Sequence, residues 1–348
     1  MSARREVSLV LVAHRSSGVL PAAVGAFRRQ AAQLGLTAEV IVVEHSEDGD
    51  EAERAAGSAP DRLLVRLNRG YAAGVNAGIS VAQGDVLLVG NPDVELMPGA
   101  LAALLRSLAA WDIVGPQFEL AGALFPPAEV QTPAAEAARR LAGVGRSAWV
   151  WSLRRQLRRW RAVWDAVEPR AAPTLSGALL AFRPALVERI GPWDEGYFLY
   201  FEETDWLRRA TRAGRRCAVV PAARAVHRWG HAAPPEQWQE RFAVSRRRYY
   251  RRWFPLLGRL TLGLPAGEPL ARRPAGEAPR GDDWRWLLSP LPAGFPAALA
   301  ARGSGPEEAA AAFCRASGRR ELTLVGWGAG GRRLAGPYRW SASPTGAP

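Results

Sequence analysis

LNRGYAAGVNAGISVAQGDVLLVGNPDVEL, Leu67 to Leu96, decides how the rest of the chain is read. It opens on a glycine-rich turn and runs into helical spacing. It then passes through the apolar run of GDVLLVG and ends on two acids, Asp93 and Glu95. A short apolar run between turn residues, following a helical stretch, is the pattern of a buried strand in a parallel sheet with helices on its faces. Ligands of such sheets gather at the C-terminal strand ends. The segment from Asn91 is therefore the first place to look for chemistry.

Moving outward, the first 117 residues repeat the same alternation. VSLVLVA from Val7, AEVIVVE from Ala38 and RLLVRL from Arg62 read as strands, with a helix near Val19 to Leu34. Residues from about Leu120 to Ala172 are rich in Ala, Arg and Trp. There Trp149, Leu153, Leu157, Trp160, Trp164 and Val167 fall at helical spacing, with Arg154, Arg155, Arg158, Arg159 and Arg161 largely elsewhere around the helix. Such a basic amphipathic helix packs on its own core, the favoured expectation, or lies on an anionic bilayer. From Thr174 the order returns: a strand TLSGALLAF, a helix from near Pro184, a loop to Tyr200, a helix over Glu202 to Ala213, a strand RCAVVP and a helix near Glu236 to Phe254. Beyond Leu260 the composition turns to Pro, Gly, Ala and Arg, a linker, before WRWLL and ELTLVGW flank an alanine-rich helix. The expected division is 1–117, 118–258, a linker over 259–282, and a small α+β appendage over 283–348.

The bulk numbers agree with a folded protein of one large α/β domain and an appendage: 348 residues, 48% hydrophobic and 23% charged. The formal net charge of +13 would suggest a polyanionic partner, but every one of the 46 basic residues is arginine. Together with abundant Ala, Gly and Pro, that is the signature of a GC-rich genome. Nucleic acid is not expected as a partner. Cys217 and Cys314 alone give no disulfide framework and fit a reducing compartment. Val7 to Ala13 is too short for a leader, and no run reaches the ~20 apolar residues of a membrane span. The expected location is cytoplasmic, or peripheral on the inner face of the membrane.

Three constellations carry possible chemistry. In an extended NPDVEL segment, Asn91, Asp93 and Glu95 project from one side and would suit a hard divalent cation, Mg²⁺ or Mn²⁺. Asn-Pro-Asp is equally good turn chemistry. Gly70, Gly74 and Gly78 allow close backbone approach ahead of a helix, whose N-terminal amides attract phosphate. In GPWDEGYFLYFEETDWLRRATRAG, from Gly191, the acids Glu195, Glu202, Glu203 and Asp205 surround a helix start. Glu202 and Asp205 would share a face, with Glu203 elsewhere. Acids there also simply suit the helix dipole. His14, His45, His227 and His231 follow strands and read as loop residues, and His227 is a possible further ligand of a metal or diphosphate.

In this order, NRGYAAGVNAGISVAQGDVLLVGNPDVELMPGAL and SGALLAFRPALVERIGPWDEGYFLYFEETDWLRRATRAGRRCAVVPAARAVH resemble the family-2 glycosyltransferases, in their rhamnosyltransferase-like branch, over roughly Val7 to Phe254. The resemblance implies a GT-A fold with a nucleotide-sugar half followed by an acceptor half, acting in cell-envelope polysaccharide synthesis. It places Ala13, His14, Arg15 and Glu44 near the nucleotide base. Asn68, Gly70, Gly74 and Asn76 would line the nucleotide pocket, and Gly177, Trp193 and Asp194 would contact substrate. Asp93 would bind the metal bridging the donor diphosphate, assisted by Asn91, Glu95 and His227. Glu203 would be the base, with Glu202 and Asp205 beside it, and transfer would invert the anomeric carbon. The implied partners are a dTDP-, UDP- or GDP-sugar and a glycan or lipid-linked acceptor. Two departures are visible: Glu44 and His45 stand where the family usually has Asp-Asn, and Glu202 and Glu203 where it has Glu-Asp. QWQERF from Gln237 is not the QxxRW of processive synthases, which implies one sugar per encounter.

Two other enzyme classes fit the sequence less well. A sugar nucleotidylyltransferase needs an N-terminal glycine-rich loop with Arg and Pro, which VAHRSSGVLP matches poorly. A dehydrogenase would use GWGAGG from Gly326, but too few residues follow for a βαβ unit of ~30 residues. A lipid- or polyanion-binding protein without catalysis is the non-enzymatic alternative.

Overall fold

The strand VSLVLVA is buried along its whole length, and AEVIVVE is buried in all but its first residue, because sheet neighbours and helices cover both faces. In the computed structural model, residues 6–228, 235–264, 267–279, 281, 283–328 and 333–342 are described. His231 and residues 329–331 of the GWGAGG string lie outside them. The elements run β1 (Val7–Ala13), α1 (Leu20–Gln33), β2 (Ala38–Glu44), α2 (Gly49–Ala56), β3 (Arg62–Val65), α3 (Tyr71–Val81), β4 (Val86–Gly90), β5 (Val94–Leu96), α4 (Ala100–Ser107) and β6 (Ile113–Leu120). Next are β7 (Ala123–Leu124), α5 (Pro133–Leu141), α6 (Arg146–Trp164), β8 (Arg170–Ala171), β9 (Leu179–Phe182), α7 (Ala185–Ile190), α8 (Glu202–Arg212), β10 (Cys217–His227), α9 (Pro235–Trp253) and α10 (Leu257–Gly263). The chain closes with β11 (Arg273–Pro274), β12 (Trp284–Ser289), β13 (Ala298–Leu299), α11 (Pro306–Ser317), β14 (Glu321–Gly328) and β15 (Leu334–Ser341).

The chain divides into two compact units. The first comprises 1–117, 128–131 and 166–259. Its centre is parallel: β1 pairs with β2 and β4, and β2 with β3. β9 then adds antiparallel to β4, with Leu87 opposite Phe182. The registers Val7 to Ala38 and Val7 to Val86 align the C-terminal ends of β1, β2 and β4 at one edge. The helix α8 docks through Trp206, which is wholly buried and stacks on Trp193 at 4.0 Å between ring centroids. Its Nε1 donates to the Gly191 carbonyl at 3.0 Å. We expect Trp206→Ala to cost ~3–5 kcal/mol in urea unfolding, as for other large core aromatics. A loss within the ~0.5 kcal/mol typical of surface changes would show that α8 is held without it.

The second unit comprises 118–127, 132–165 and 260–348, so the Arg/Trp helix clusters with the C-terminal residues. Its sheet is antiparallel from β13 through β12 and β14 to β15. On it α6 lays Trp149, Leu153, Leu157 and Trp160 in one apolar cluster with Leu287, Leu299, Val325 and Trp327. The apolar stripe read in the sequence is thus consumed by a core, and Val167 lies beyond the helix end, exposed. No helix among the described residues is long and apolar enough to cross a membrane.

Candidate active site

The aligned strand ends of the first unit open onto a cavity of about 330 Å³. It is lined by Val12 of β1 and His14 after it, by His45 after β2, and by Asn91 to Asp93 after β4. Asn68, Gly70 and Tyr71 form one wall, and residues 176–178 another. The segment 198–203, His227 and Arg241 close it.

The acid segment after β4 is a turn followed by β5, where an extended run had been expected. The Val94 N–H donates to the Asn91 carbonyl at 3.4 Å, and Val94 and Leu96 bury themselves as β5 pairs with β10. Asn91 and Asp93 therefore face the cavity, whereas Glu95, alternating with those two apolar residues, does not line it. β10 extends far beyond RCAVVP, through Pro221 to His227, because β5 pairs with its second half. That pairing puts His227 in a strand opposite Val94, not in a loop, and brings its Nε2 to 3.5 Å from Asp93 Oδ1.

Gly70 at φ +99 lets the Tyr71 N–H reach the Phe198 carbonyl at 2.8 Å, and a Cβ at Gly70 would collide with that peptide. The contact joins the glycine-rich turn to the loop leading into α8. Tyr71 hangs into the cavity with its hydroxyl donating to the Gly177 carbonyl at 3.3 Å. Burial raises its pKa well above 10, and the charges of Glu202, Glu203 and Asp93 add to the effect, so all three acids share its surroundings.

Glu202 and Glu203 both line the cavity from the first turn of α8. Burial pushes the Glu202 carboxyl well above the usual range, and the Glu203 charge pushes it further. Burial also raises Glu203, against backbone hydrogen bonds at the helix start that favour its charged form. Glu202 Oε2 is a buried oxygen with no hydrogen-bond partner among the described residues. Ahead of the pair, Tyr200 at φ +68 and Phe201 at φ +69 are consecutive left-handed residues without the freedom of glycine. Such strain persists only where surrounding packing imposes it. Here Phe201 is gripped by Phe242 and Tyr249, at 5.2 and 5.4 Å between centroids. Arg241 adds a cation to the cavity, its guanidinium 4.3 Å from the Phe198 ring centre.

Gly177 gives Glu203 its space, since a Cβ there would lie 2.8 Å from Glu203 Cγ. Gly177→Ala is expected to lower turnover on the order of 10–100-fold by displacing the carboxylate. Unchanged turnover would show that the position of Glu203 seen here is not required.

Residues 8–160 match the model of glycosyl transferase family 2. The match supports a family 2 glycosyltransferase. It is 29% identical over 228 residues to an N-acetylglucosaminyl-diphospho-decaprenol L-rhamnosyltransferase present in two strains of Mycobacterium tuberculosis, covering 58% of this chain and 71% of the relative. A solved structure of GalNAc-T7 with UDP, GalNAc and Mn²⁺ superposes at TM-score 0.53 and 15% identity, covering 77% of this chain. The chain spans about half, 53%, of that structure's length, and the likeness shows the shared GT-A fold.

Other residues singled out in the sequence are held by partners of their own. Asp205 is fully buried: it pairs with Arg209 at 3.0 Å and Arg252 at 3.3 Å, and accepts from Trp253 Nε1 at 2.8 Å. Its face of α8 thus meets α9, while Glu202 and Glu203 turn to the cavity together, the reverse of the pairing expected from helical spacing. Asn76 clasps the Trp193 backbone through reciprocal 3.0 Å hydrogen bonds, and Asp194 binds Arg248 and Arg252. Gly74 packs under Val12 and His45. Glu44 is buried and accepts from the Ser46 N–H at 2.6 Å, Ala13 is buried in β1, and Arg15 donates its N–H to Ser46 Oγ. His14 Nδ1 lies 3.2 Å from the His45 carbonyl. Burial lowers the pKa of His45, and His14 lowers it further.

Tyr71 and Arg241 were not selected from sequence, although both line the cavity. Tyr71 directly follows the turn glycine, and that adjacency was the available signal. Arg241 sits among many arginines, and nothing in its spacing marks it.

Among the described residues, no group of three or more His, Cys, Asp or Glu side chains forms a metal cage. Asp93 and His227 supply one oxygen and one nitrogen donor at the cavity edge. That set fits a hard cation completing its shell with phosphate oxygens, since Mg²⁺ sites commonly use one or two protein carboxylates.

Proposed function

We propose that this chain transfers one glycosyl group from a nucleoside-diphosphate sugar to an acceptor hydroxyl, inverting the anomeric carbon, in the building of a cell-envelope glycan. The observation that supports it is the meeting of Asp93 with His227 and of Glu202 with Glu203 around a single cavity. The curated relative is named for a lipid-diphosphate-linked N-acetylglucosamine, so a lipid-linked sugar is the acceptor class to try first.

Asp93 and His227 would hold a divalent metal against the donor diphosphate, and such an ion supplies charge neutralisation to the departing nucleotide. The Arg241 guanidinium adds positive charge to the cavity lining. Glu203, whose pKa burial raises, accepts the proton of the acceptor hydroxyl as that oxygen bonds to the anomeric carbon. The bond from that carbon to the diphosphate breaks, and the nucleoside diphosphate leaves. Glu202, raised further, holds a proton more readily and is suited to donate a hydrogen bond to a sugar hydroxyl.

The test is to incubate the full chain with dTDP-, UDP- and GDP-sugars, with Mn²⁺ or Mg²⁺, and with a polyprenyl-diphosphate-linked N-acetylglucosamine. Nucleoside diphosphate release that depends on donor identity is expected. No release with any donor, or pyrophosphate exchange in its place, overturns the reading.

A further inference from the structure

We infer that the first unit holds a second binding site, a cavity lined by Arg208 and Arg212 of α8, which takes the phosphate groups of the acceptor. The inference rests on the transfer reading for the owner of those phosphates; the site itself is argued from its own residues.

The cavity has a volume of about 260 Å³. Thr204, Arg208, Thr211 and Arg212 line it from α8, at the three- and four-residue spacing that gathers side chains on one side of a helix. Tyr249 of α9 and Thr174, ahead of β9, line it too. All of these belong to the first unit, and no acid is among the described residues of the lining.

Arg208 is held in place without being neutralised. Its Nη1 donates to the Tyr249 hydroxyl at 3.2 Å, and that hydroxyl donates in turn to the Gln131 carbonyl at 3.3 Å. Burial raises the pKa of Tyr249, so the phenol brings no negative charge. The guanidinium carbon lies 4.4 Å from the Phe254 ring centre and 5.1 Å from that of Trp253. Ring faces attract the cation but do not satisfy its fork of N–H donors. Arg208 Nε is buried and has no hydrogen-bond partner among the described residues. Arg212, which is exposed, shares the Trp253 ring at 4.9 Å. Neither arginine has an acidic partner among the described residues.

Two like charges gathered at one ring, with no carboxylate between them, favour an anion. Thr211 spends its hydroxyl proton on the Arg208 carbonyl at 3.1 Å, so the guanidinium groups are the main donors. Each fork matches the oxygens of one phosphate, and a diphosphate can engage both forks where a single carboxylate fills one.

The cavity adjoins that of the acid pair. Thr204 directly follows Glu203, Thr174 stands two residues before Ser176, and the Tyr249 ring packs on Phe201 at 5.4 Å. Asp93 and His227, proposed for the donor diphosphate, do not line it. An acceptor whose hydroxyl meets Glu203 can thus place its own phosphates here while the donor keeps the other cavity.

The experiment begins with calorimetry of the full chain and inorganic diphosphate in a chelator, which removes the metal proposed for the donor site. Diphosphate binding is expected, weaker by about tenfold in Arg212→Gln, as for loss of a hydrogen bond between charged groups. Arg208→Lys keeps the charge but not the planar fork and should weaken it by a similar factor. Arg189→Gln, an exposed arginine of α7, removes equal charge and should leave affinity within about twofold. Thermal melts establish that each variant is folded. In transfer to a polyprenyl-diphosphate-linked N-acetylglucosamine, Arg212→Gln should raise the acceptor KM about tenfold and leave kcat and the donor KM unchanged, the mark of lost ground-state binding. No diphosphate binding, or equal affinity in Arg212→Gln and the parent, overturns the site. Diphosphate binding lost in Arg212→Gln with an unchanged acceptor KM assigns the cavity to free phosphates and overturns its link to the acceptor. Absence of transfer with every donor sinks the transfer reading and that link with it, while the calorimetry still decides the site.

Discussion

Glu203→Gln is expected to lower turnover about 100-fold or more while leaving affinity for the donor unchanged, because it removes the proton acceptor and little else. Calorimetry with donor and metal, beside initial rates at saturating donor, separates the two effects. The same variant should be more stable than the parent at neutral pH. A carboxyl whose pKa is raised on folding contributes stability that is present below its ordinary value and is lost as pH rises through the raised one. Near neutrality both Glu203 and Glu202 therefore oppose the fold, and a glutamine, which cannot ionise, relieves the pair. The stability difference should shrink as pH falls towards the ordinary carboxylate range. In the parent enzyme, the rate should fall with acidification before a normal carboxylate would protonate. Parental turnover in Glu203→Gln would transfer the base to Glu202, the other carboxylate of α8 in the cavity.

A site that is costly to the fold is consistent with the strain before it. Tyr200 and Phe201 hold left-handed conformations with full side chains, and the aromatic grip of Phe242 and Tyr249 keeps them there. This pair fixes where α8 begins, and hence where its first two acids point. Helical spacing alone grouped Glu202 with Asp205. The structure separates them because Asp205 is claimed by Arg209, Arg252 and Trp253, a network whose members come from α8 and α9. Arg209 is a neighbour on the same helix, but Trp253 lies 48 residues on, and no local pattern encodes a partner so far away.

The parallel centre was legible for the opposite reason. β1, β2 and β4 are covered on both faces, so their residues are apolar save for Ser8, Glu39 and Glu44, and they announce themselves in any short window. NPDVEL was legible as an acid site but not in shape. Its conformation follows from β5 pairing with β10, about 130 residues later, a long-range register that turn chemistry only hints at. The same pairing carried β10 past Pro221 to His227, which read as a loop position. On α6, the amphipathic period was plain, while the partner of its apolar face came from β12 and β14 at the far end of the chain.

Asp93→Ala is expected to reduce metal-dependent donor binding by about 100-fold, since even outer partners of metal ligands are worth ~10–100-fold. The residue sits in a turn at the cavity edge, so its truncation leaves the sheet beneath it intact. Donor binding by the variant should then match that of the parent in a chelator, and adding Mn²⁺ or Mg²⁺ should change nothing. Two companions make the assignment sharper. His227→Ala removes the second donor of the pair and should weaken the metal response by a smaller factor, because the carboxylate that balances the ion's charge remains. Glu95→Ala should bind donor like the parent, because its side chain alternates with buried Val94 and Leu96 and does not line the cavity. If Asp93→Ala retained a full metal response while Glu95→Ala lost it, the turn would have to reorganise when donor binds, and the expected roles of the two acids would exchange. If neither variant altered the response, recognition of the diphosphate would fall to Arg241, the arginine of the cavity lining.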